Sequence, residues 1–277
     1  MADPFSSVSH FIAAGAALVG AFFLLARGKG NGTRVFSLVT FSFSLVFLFS
    51  MSAVYHLLER GGGARYVLAH LDHAAIWVLI AGTFTPIHTI LFRGLWRWGV
   101  LALIWTLAIT GLVLKTIYFT FMPEWMGLTF YIGLGWFGIL TGIKFHRAYK
   151  GEEFHWLWLG GVFYSIGGVL DYLRWPNIID GVIGGHEVFH IFVNLGALSH
   201  WIFVYKWAAH PIWDLLTFHV KIYPDGHLIA KARGEDLQVE AKSKEELHRK
   251  LKESVREKYH TSINPQIRLK YFQEEFI

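Results

Sequence analysis

Residues able to do metal chemistry lie at the ends of three apolar stretches. One stretch ends with Ser52 and His56, the next begins around Asp72, and the last contains His186 and His190. Ionisable side chains inside apolar stretches are costly, so they are functional candidates. If the stretches cross a membrane in alternation, the end of the second and the starts of the third and seventh lie at one face. The sequence therefore predicts that these side chains meet.

The spacing of the histidines predicts a zinc site. His186 and His190 are four residues apart, which on a helix places their Cβ atoms about 5–6 Å apart on one side. With His56 they supply three neutral nitrogens, the ligand number of a catalytic zinc ion that keeps a fourth position for water. Asp72 would then hold that water and take its proton, and Ser52 would hydrogen-bond the water or the developing oxyanion.

Each of these residues also has a structural interpretation. Ser52 could bond the carbonyl one turn back, and Asp72 could be a helix-start residue that complements the helix dipole. His70 and His73 could orient Asp72 or simply face water. The other histidines of the apolar part are interpreted as interfacial or packing residues: His10, His88, His146, His155, His200 and His210.

The segment from His186 to His190 also matches H-E-x-x-H, the motif of zinc proteases in which the glutamate is the general base. With Glu187 in that role, the chain would be an intramembrane metalloprotease. Such an enzyme usually takes a third, carboxylate ligand from a later segment, and no later membrane segment is predicted here. The protease is therefore the weaker hypothesis.

The elements that must position these residues are membrane helices. Hydrophobic residues make up 54% of the 277 residues and charged residues only 16%, against about 25% charged in soluble proteins. Seven stretches approach the roughly 20 residues that span a bilayer, and in lipid only helices satisfy such a backbone. The predicted fold is thus an all-α, seven-transmembrane helix bundle. The predicted spans are Val8–Ala26, Val35–Leu58, His70–Phe92, Trp98–Tyr118, Trp125–Ile143, Phe154–Leu173 and Val182–Trp207.

The first stretch is expected to remain as a span, because no cationic segment precedes it and no small-residue cleavage site follows it. The absence of cysteine excludes disulfides, thiolate metal sites and cysteine nucleophiles.

The last 70 residues predict a small soluble α+β module, so the predicted domains are 1–207 and 208–277. Alternating residues predict strands at Thr217–Tyr223, 227–232 and Ile267–Phe272, with a Pro-Asp-Gly turn after the first. Ser243 and Glu246 form a capping box for a helix. Its apolar stripe is Leu247, Leu251, Val255 and Tyr259.

The distribution of Lys and Arg predicts the orientation. Segments after the first, third and fifth spans carry eight basic residues and the opposite segments four, which places the tail in the cytoplasm. The tail itself holds 12 basic and 11 acidic residues. This near balance predicts no basic face, and nucleic acid is not an expected partner.

The three motifs resemble the signature segments of the hemolysin III family, the bacterial branch of the progestin and adipoQ receptors. They are Ser52-Ala53-Val54-Tyr55-His56, the run from His70-Leu71-Asp72-His73 to Thr85-Pro86, and Gly185-His186-Glu187-Val188-Phe189-His190. The resemblance covers roughly residues 8–207. It implies a seven-helix fold, zinc held by the three histidines, and Ser52 and Asp72 beside the metal.

The same resemblance implies kinship with alkaline ceramidases, and hence a zinc-dependent hydrolase of a lipid amide in the bacterial inner membrane. Two departures stand out. The tail beyond Trp207 is longer than in bacterial members, and the charge count places it inside, whereas adiponectin receptors have their C-terminus outside.

Two other functions remain open from the sequence. In one, the protein is a membrane receptor or interaction protein whose zinc is structural and whose tail recruits a cytoplasmic partner. In the other, it is a cytolysin, although no span carries the sustained polar stripe that a water-filled pore needs.

Overall fold

The computed structural model describes residues 2–149, 153–210, 212, 216–233, 236–259 and 267–273. The chain forms two compact units. The first contains residues 1–142 and 153–209, and the second contains residues 143–152 and 210–277. The predicted domains 1–207 and 208–277 stay a prediction.

Eight helices precede the tail in the described part of the chain. A π-helical turn, Leu95–Gly99, leads directly into the fourth. Their bounds are α1 Pro4–Arg27, α2 Gly32–Leu57, α3 Gly63–Leu91, α4 Val100–Ile117, α5 Glu124–Trp136, α6 Gly138–Tyr149, α7 Phe154–Tyr172 and α8 Gly185–Trp207.

Six helical segments among the described residues are long and apolar enough to cross a membrane, which makes the chain a multi-pass membrane protein. They are Pro4–Arg27, Gly32–Leu57, Gly63–Leu91, Leu95–Ile117, Glu124–Tyr149 and Gly185–Trp207. The predicted sixth span does form the 19-residue helix α7. Its hydropathy is lower because glycines, His155 and Asp171 interrupt its apolar residues. A seven-span bundle therefore stays a prediction.

Two predicted boundaries were wrong. Helix α3 begins at Gly63, well before His70. Arg65 anchors its polar first turns by donating to the Leu58 carbonyl at 2.5 Å, a tertiary contact that hydropathy does not register. Asp72 therefore lies in the third turn of α3 and is not a helix-start residue. The predicted fifth span is confirmed as the apolar segment Glu124–Tyr149, in which Phe137 alone separates α5 from α6.

The second wrong boundary is the start of the last helix. Helix α8 begins at Gly185 rather than Val182, because Ile179 and Ile183 pair their backbones in a tight loop before it. This loop brings the start of α8 back onto the end of α7.

Helices α1, α2, α3, α7 and α8 pack closely around the predicted site. Helix α2 packs against α1 and α3, and α8 packs against α1 and α7. The Ser7 hydroxyl on α1 donates to the Ala53 carbonyl on α2 at 2.9 Å. Gly82 lets α3 approach α2, since a Cβ there would lie 2.2 Å from the Ser44 hydroxyl oxygen.

The second unit contains a four-stranded sheet with one helix. Its elements are β1 Leu216–Ile222, β2 Leu228–Ala232, β3 Gln238–Ala241, α9 Lys244–Tyr259 and β4 Ile267–Gln273, and the strand order is β3-β2-β1-β4. Strand β1 pairs antiparallel with β2 and parallel with β4. A parallel pair needs a crossover connection, which α9 supplies.

Alternate strand residues and the apolar stripe of α9 form one core. Leu247, Leu251 and Val255 pack against buried residues of β1, β2 and β3. One half of the predicted capping box is confirmed, because the Glu246 backbone N–H donates to the Ser243 hydroxyl at 3.1 Å. The Glu246 carboxylate accepts from the Lys242 backbone N–H at 2.8 Å, where the capping box would have that of Ser243. Strand β3 was missed, since four residues give little alternation to detect. The side chain of Tyr259 lies outside the described residues.

Candidate metal centre

Three imidazoles meet where α2 ends and α8 begins. His186 Nε2 lies 3.2 Å from His56 Nε2 and 3.2 Å from His190 Nε2. One ring nitrogen of each histidine lies within 4.8 Å of the others. His56 and His190 are buried, while the side chain of His186 is 36% exposed. The cluster is thus enclosed on two sides and accessible at the third histidine.

Carboxylates face the outer nitrogens of two of these rings. His56 Nδ1 lies 3.1 Å from Asp3 Oδ2, and His186 Nδ1 lies 2.9 Å from Asp171 Oδ1. A carboxylate accepts a hydrogen bond, so it fixes the tautomer with the proton on Nδ1. The Nε2 lone pairs of both rings are then directed into the cluster.

The third ring is positioned by packing instead of a carboxylate. His10 of α1 lies against His190 with ring centroids 3.9 Å apart. Within the described residues, His190 Nδ1 has no hydrogen-bond partner. The orientation of His190 thus depends on the contact between α1 and α8.

Asp3 also joins three segments at this end of the helices. Its carboxylate accepts from Arg60 at 2.6 Å and from Arg65 at 2.5 Å, in addition to facing His56. Burial alone would raise the pKa of Asp3, but the hydrogen bonds from Arg60, Arg65 and His56 outweigh it and hold the pKa well below its usual range. Asp3 therefore stays ionised and keeps its acceptor oxygens for His56.

The two remaining predicted site residues lie on the same side of the helical unit but make no direct contact that joins them to the cluster. Asp72 is half-buried and interacts electrostatically with His56 and His186. No hydrogen bond joins Asp72 to these rings in the described part of the chain. Ser52 is buried on α2, one turn before His56.

The donor set suits a divalent cation. Two Nε2 atoms 3.2 Å apart repel each other when their lone pairs face one another, unless a proton or a cation lies between them. A tetrahedral zinc ion with Zn–N bonds of about 2.0–2.1 Å would place its nitrogen ligands about 3.3 Å apart. The two Nε2 separations that involve His186 match that geometry, and the ligand atoms of all three histidines lie within 4.8 Å of one another, so the three histidines could hold such an ion.

Glu187 is engaged elsewhere. Its carboxylate accepts from the Gly184 backbone N–H at 3.0 Å and from the Ser6 hydroxyl at 3.3 Å. These bonds cap α8 and attach it to α1. The glutamate therefore has a structural role, which disfavours the protease hypothesis.

Several other histidines have structural partners. His70 Nδ1 and His73 Nδ1 each lie 2.8 Å from a carbonyl one turn back on α3, so neither ring orients Asp72 through that nitrogen. His88 bonds the Trp96 carbonyl and the Thr141 hydroxyl and is completely buried. The packing interpretation of His88 is thus confirmed.

Sequence reasoning missed three residues at the cluster. Asp171 carried a usable signal, since it is an ionisable residue within a predicted span. Asp3 precedes the first apolar run and carried none. His10 was interpreted as a packing residue, and its packing partner is His190.

The helical unit is similar to known membrane proteins. Residues 2–201 match the family model described as Haemolysin-III related. The match ends before the C-terminal sheet begins.

Curated relatives agree with that match. Hemolysin-3 of Bacillus cereus is 30% identical over 194 residues, which cover 69% of this chain and 85% of that protein. The Hemolysin-3 homolog of Bacillus subtilis is 28% identical, covering 70% of this chain and 88% of that protein. Heptahelical transmembrane protein 1 of Arabidopsis thaliana is 26% identical, covering 69% of this chain and 63% of that protein.

Proposed function

The chain belongs to the haemolysin-III related family, and on that premise we propose that it is a zinc-dependent membrane hydrolase that cleaves a lipid amide. The observation that carries the proposal is the convergence of three Nε2 atoms, two of them on rings whose outer nitrogens face carboxylates. Such carboxylate–histidine pairs are typical of metal sites, where they orient the ring and raise its basicity.

In this proposal His56, His186 and His190 hold the ion. Zinc, when bound, would acidify a water molecule and polarise the carbonyl of the scissile amide. The partial exposure of His186 leaves one side of the cluster accessible to substrate and solvent.

Asp72 is proposed as the general base and then the general acid. It would take the proton of the attacking water and pass it to the nitrogen of the leaving amine. The carboxylate lies within electrostatic range of His56 and His186 without bonding either ring, so its oxygens are not committed to those two imidazoles. Ser52, one turn from His56, is proposed to donate a hydrogen bond from its hydroxyl to the carbonyl oxygen as negative charge develops on it.

The membrane setting supports a lipid as the substrate, and the amide bond is proposed from the family resemblance. Many large apolar side chains of the helices are exposed, including Phe22, Phe36 and Ile117, as lipid-facing positions require. A substrate that reaches the cluster from the bilayer would be a lipid. We further propose that α7 is a seventh span and that the tail lies in the cytoplasm.

A variant of Asp72 tests the catalytic role. Asp72→Asn should keep the metal but lower kcat by about 10²- to 10⁴-fold, because the amide cannot take a proton. The readout is fatty-acid release from ceramides of several acyl lengths in mixed micelles, with metal content measured on the same samples. Asp180→Asn, a like change in the loop before α8, is the matched control and should retain full turnover.

Two results would overturn this assignment. Full turnover in Asp72→Asn would show that Asp72 is not the general base. A metal-loaded wild-type protein that releases no fatty acid from any ceramide would instead favour the receptor hypothesis, in which the ion only joins α2 to α8.

A further inference from the structure

We propose that the C-terminal sheet binds the anionic headgroups of membrane lipids through its outer face, defined as the sheet face opposite α9. In β1 the buried residues Leu216, Phe218 and Val220 pack into the α9 core. Their neighbours Thr217, His219 and Lys221 therefore lie on the outer face, because successive strand side chains alternate between faces.

The strand register assembles basic side chains from three strands on this face. His219 of β1 lies between Lys231 of β2 and Lys270 of β4, and Arg268 of β4 pairs with Thr217. Lys231, Arg268 and Lys270 are exposed. Among the described strand residues, the outer face has one carboxylate, that of Glu240 in β3 at the sheet edge.

The helix side of the module has a different charge pattern. Helix α9 pairs its charges within itself, with Arg249 bonded to Glu253 at 3.3 Å and Lys250 to Glu246 at 2.9 Å. The tail has 12 basic and 11 acidic residues in total, which predicted no basic face. That count covers the whole tail and does not show that the strands place Lys231, Arg268 and Lys270 on one face.

An anionic lipid surface fits this face better than a nucleic acid does. Eight residues join the end of the membrane helix α8 at Trp207 to the start of β1 at Leu216. This short connection keeps the module close to the bilayer surface. Single-stranded nucleic acids are usually bound on several stacking rings. Among the described outer-face residues Phe272 supplies one aromatic ring, and it is already in contact with His219 at 5.0 Å.

The test uses the full chain in nanodiscs of neutral lipid, mixed with vesicles of phosphatidylcholine alone or with added phosphatidylglycerol. We expect flotation with the anionic vesicles only, and weaker binding at high salt because salt screens exposed charges. Each basic side chain at an anionic surface contributes about fivefold to binding. The triple change Lys231→Gln, Arg268→Gln and Lys270→Gln should therefore lower vesicle affinity about 100-fold.

The matched control removes two lysines and one arginine from α9: Lys244→Gln, Arg249→Gln and Lys252→Gln. It should bind as the wild type does. A second control keeps the charge of the outer face while changing its side chains, through Lys231→Arg, Arg268→Lys and Lys270→Arg, and it should also bind as the wild type does.

Several results would overturn the proposal. Equal flotation with neutral and anionic vesicles would do so, as would an equal loss of binding in the α9 control. Tighter binding to single-stranded RNA than to anionic vesicles would assign the face to nucleic acid instead. None of these outcomes depends on the metal centre.

Discussion

Two of the three histidines, His56 and His186, have a carboxylate behind the ring, and single residues supply these carboxylates. Asp171 Oδ1 lies 2.9 Å from His186 Nδ1, at the end of α7 that packs on α8. Since His186 is the most exposed of the three histidines, its ring depends most on this partner for its orientation.

Asp171→Asn should therefore weaken metal binding about 10- to 100-fold, the usual effect of removing an outer carboxylate. The amide can still accept a hydrogen bond, but it no longer raises the basicity of the imidazole. Competition with a chromogenic chelator measures the affinity. Asp180→Asn is again the control, and an unchanged affinity in Asp171→Asn would show that this carboxylate does not support the site.

Some residues of the centre could be predicted from the sequence and others could not. His186 and His190 are four residues apart in one helix, so local geometry alone brings them together. His56 could be added because alternating spans bring chain ends to one face. Asp3 and His10 could not be added, because their contacts arise from the packing of α1 against α2 and α8, which no local pattern records.

At the junction between α7 and α8, the backbone of one helix lies directly against the other. Gly185 begins α8 directly before His186, and a Cβ there would lie 2.7 Å from the Trp175 nitrogen and 2.8 Å from the Leu170 oxygen. Both are backbone atoms, so neither can move aside without moving a helix end.

Gly185→Ala should accordingly displace the start of α8 and lower the free energy of unfolding by about 1–3 kcal/mol, as overpacking does. Thermal unfolding in detergent measures the loss, and metal affinity should fall with it. Gly184→Ala is the matched neighbour, because a Cβ there meets only Glu187 Oε2 at an ordinary 3.6 Å. Equal stability of the two variants would contradict this account of the junction.

Hydropathy located the membrane helices but not their ends. The ends depend on single tertiary contacts, such as that of Arg65 with the Leu58 carbonyl before α3 and the Ile179–Ile183 bridge before α8. In the tail, strong alternation predicted β1 and β4, whereas β3 is too short to carry a pattern.

For the whole molecule, the crossing of α7 decides the topology. If α7 crosses, Asn31 and Asp225 lie on one side of the membrane and Asn177 on the other. If it does not, Asn31 and Asn177 share a side and Asp225 is opposite. The chain has no native cysteine, so a single introduced cysteine reports on its own position.

We expect Asn177→Cys to react with a membrane-impermeant maleimide in intact cells. Asn31→Cys and Asp225→Cys should react only after the membrane is permeabilised. Permeabilised cells provide the control that each cysteine can react. Labelling of Asp225→Cys in intact cells would contradict the cytoplasmic tail, and labelling of Asn31→Cys and Asn177→Cys from the same side would contradict the seventh span.

The proposed function depends on a zinc ion held by α2 and α8. Elemental analysis of the full chain purified without chelators, together with X-ray absorption spectroscopy, tests for that ion. We expect about one zinc ion per chain with histidine nitrogens at about 2.0–2.1 Å, lost in His190→Ala and retained in His155→Ala. Wild-type protein that carries no divalent metal, even after incubation with zinc, would contradict it.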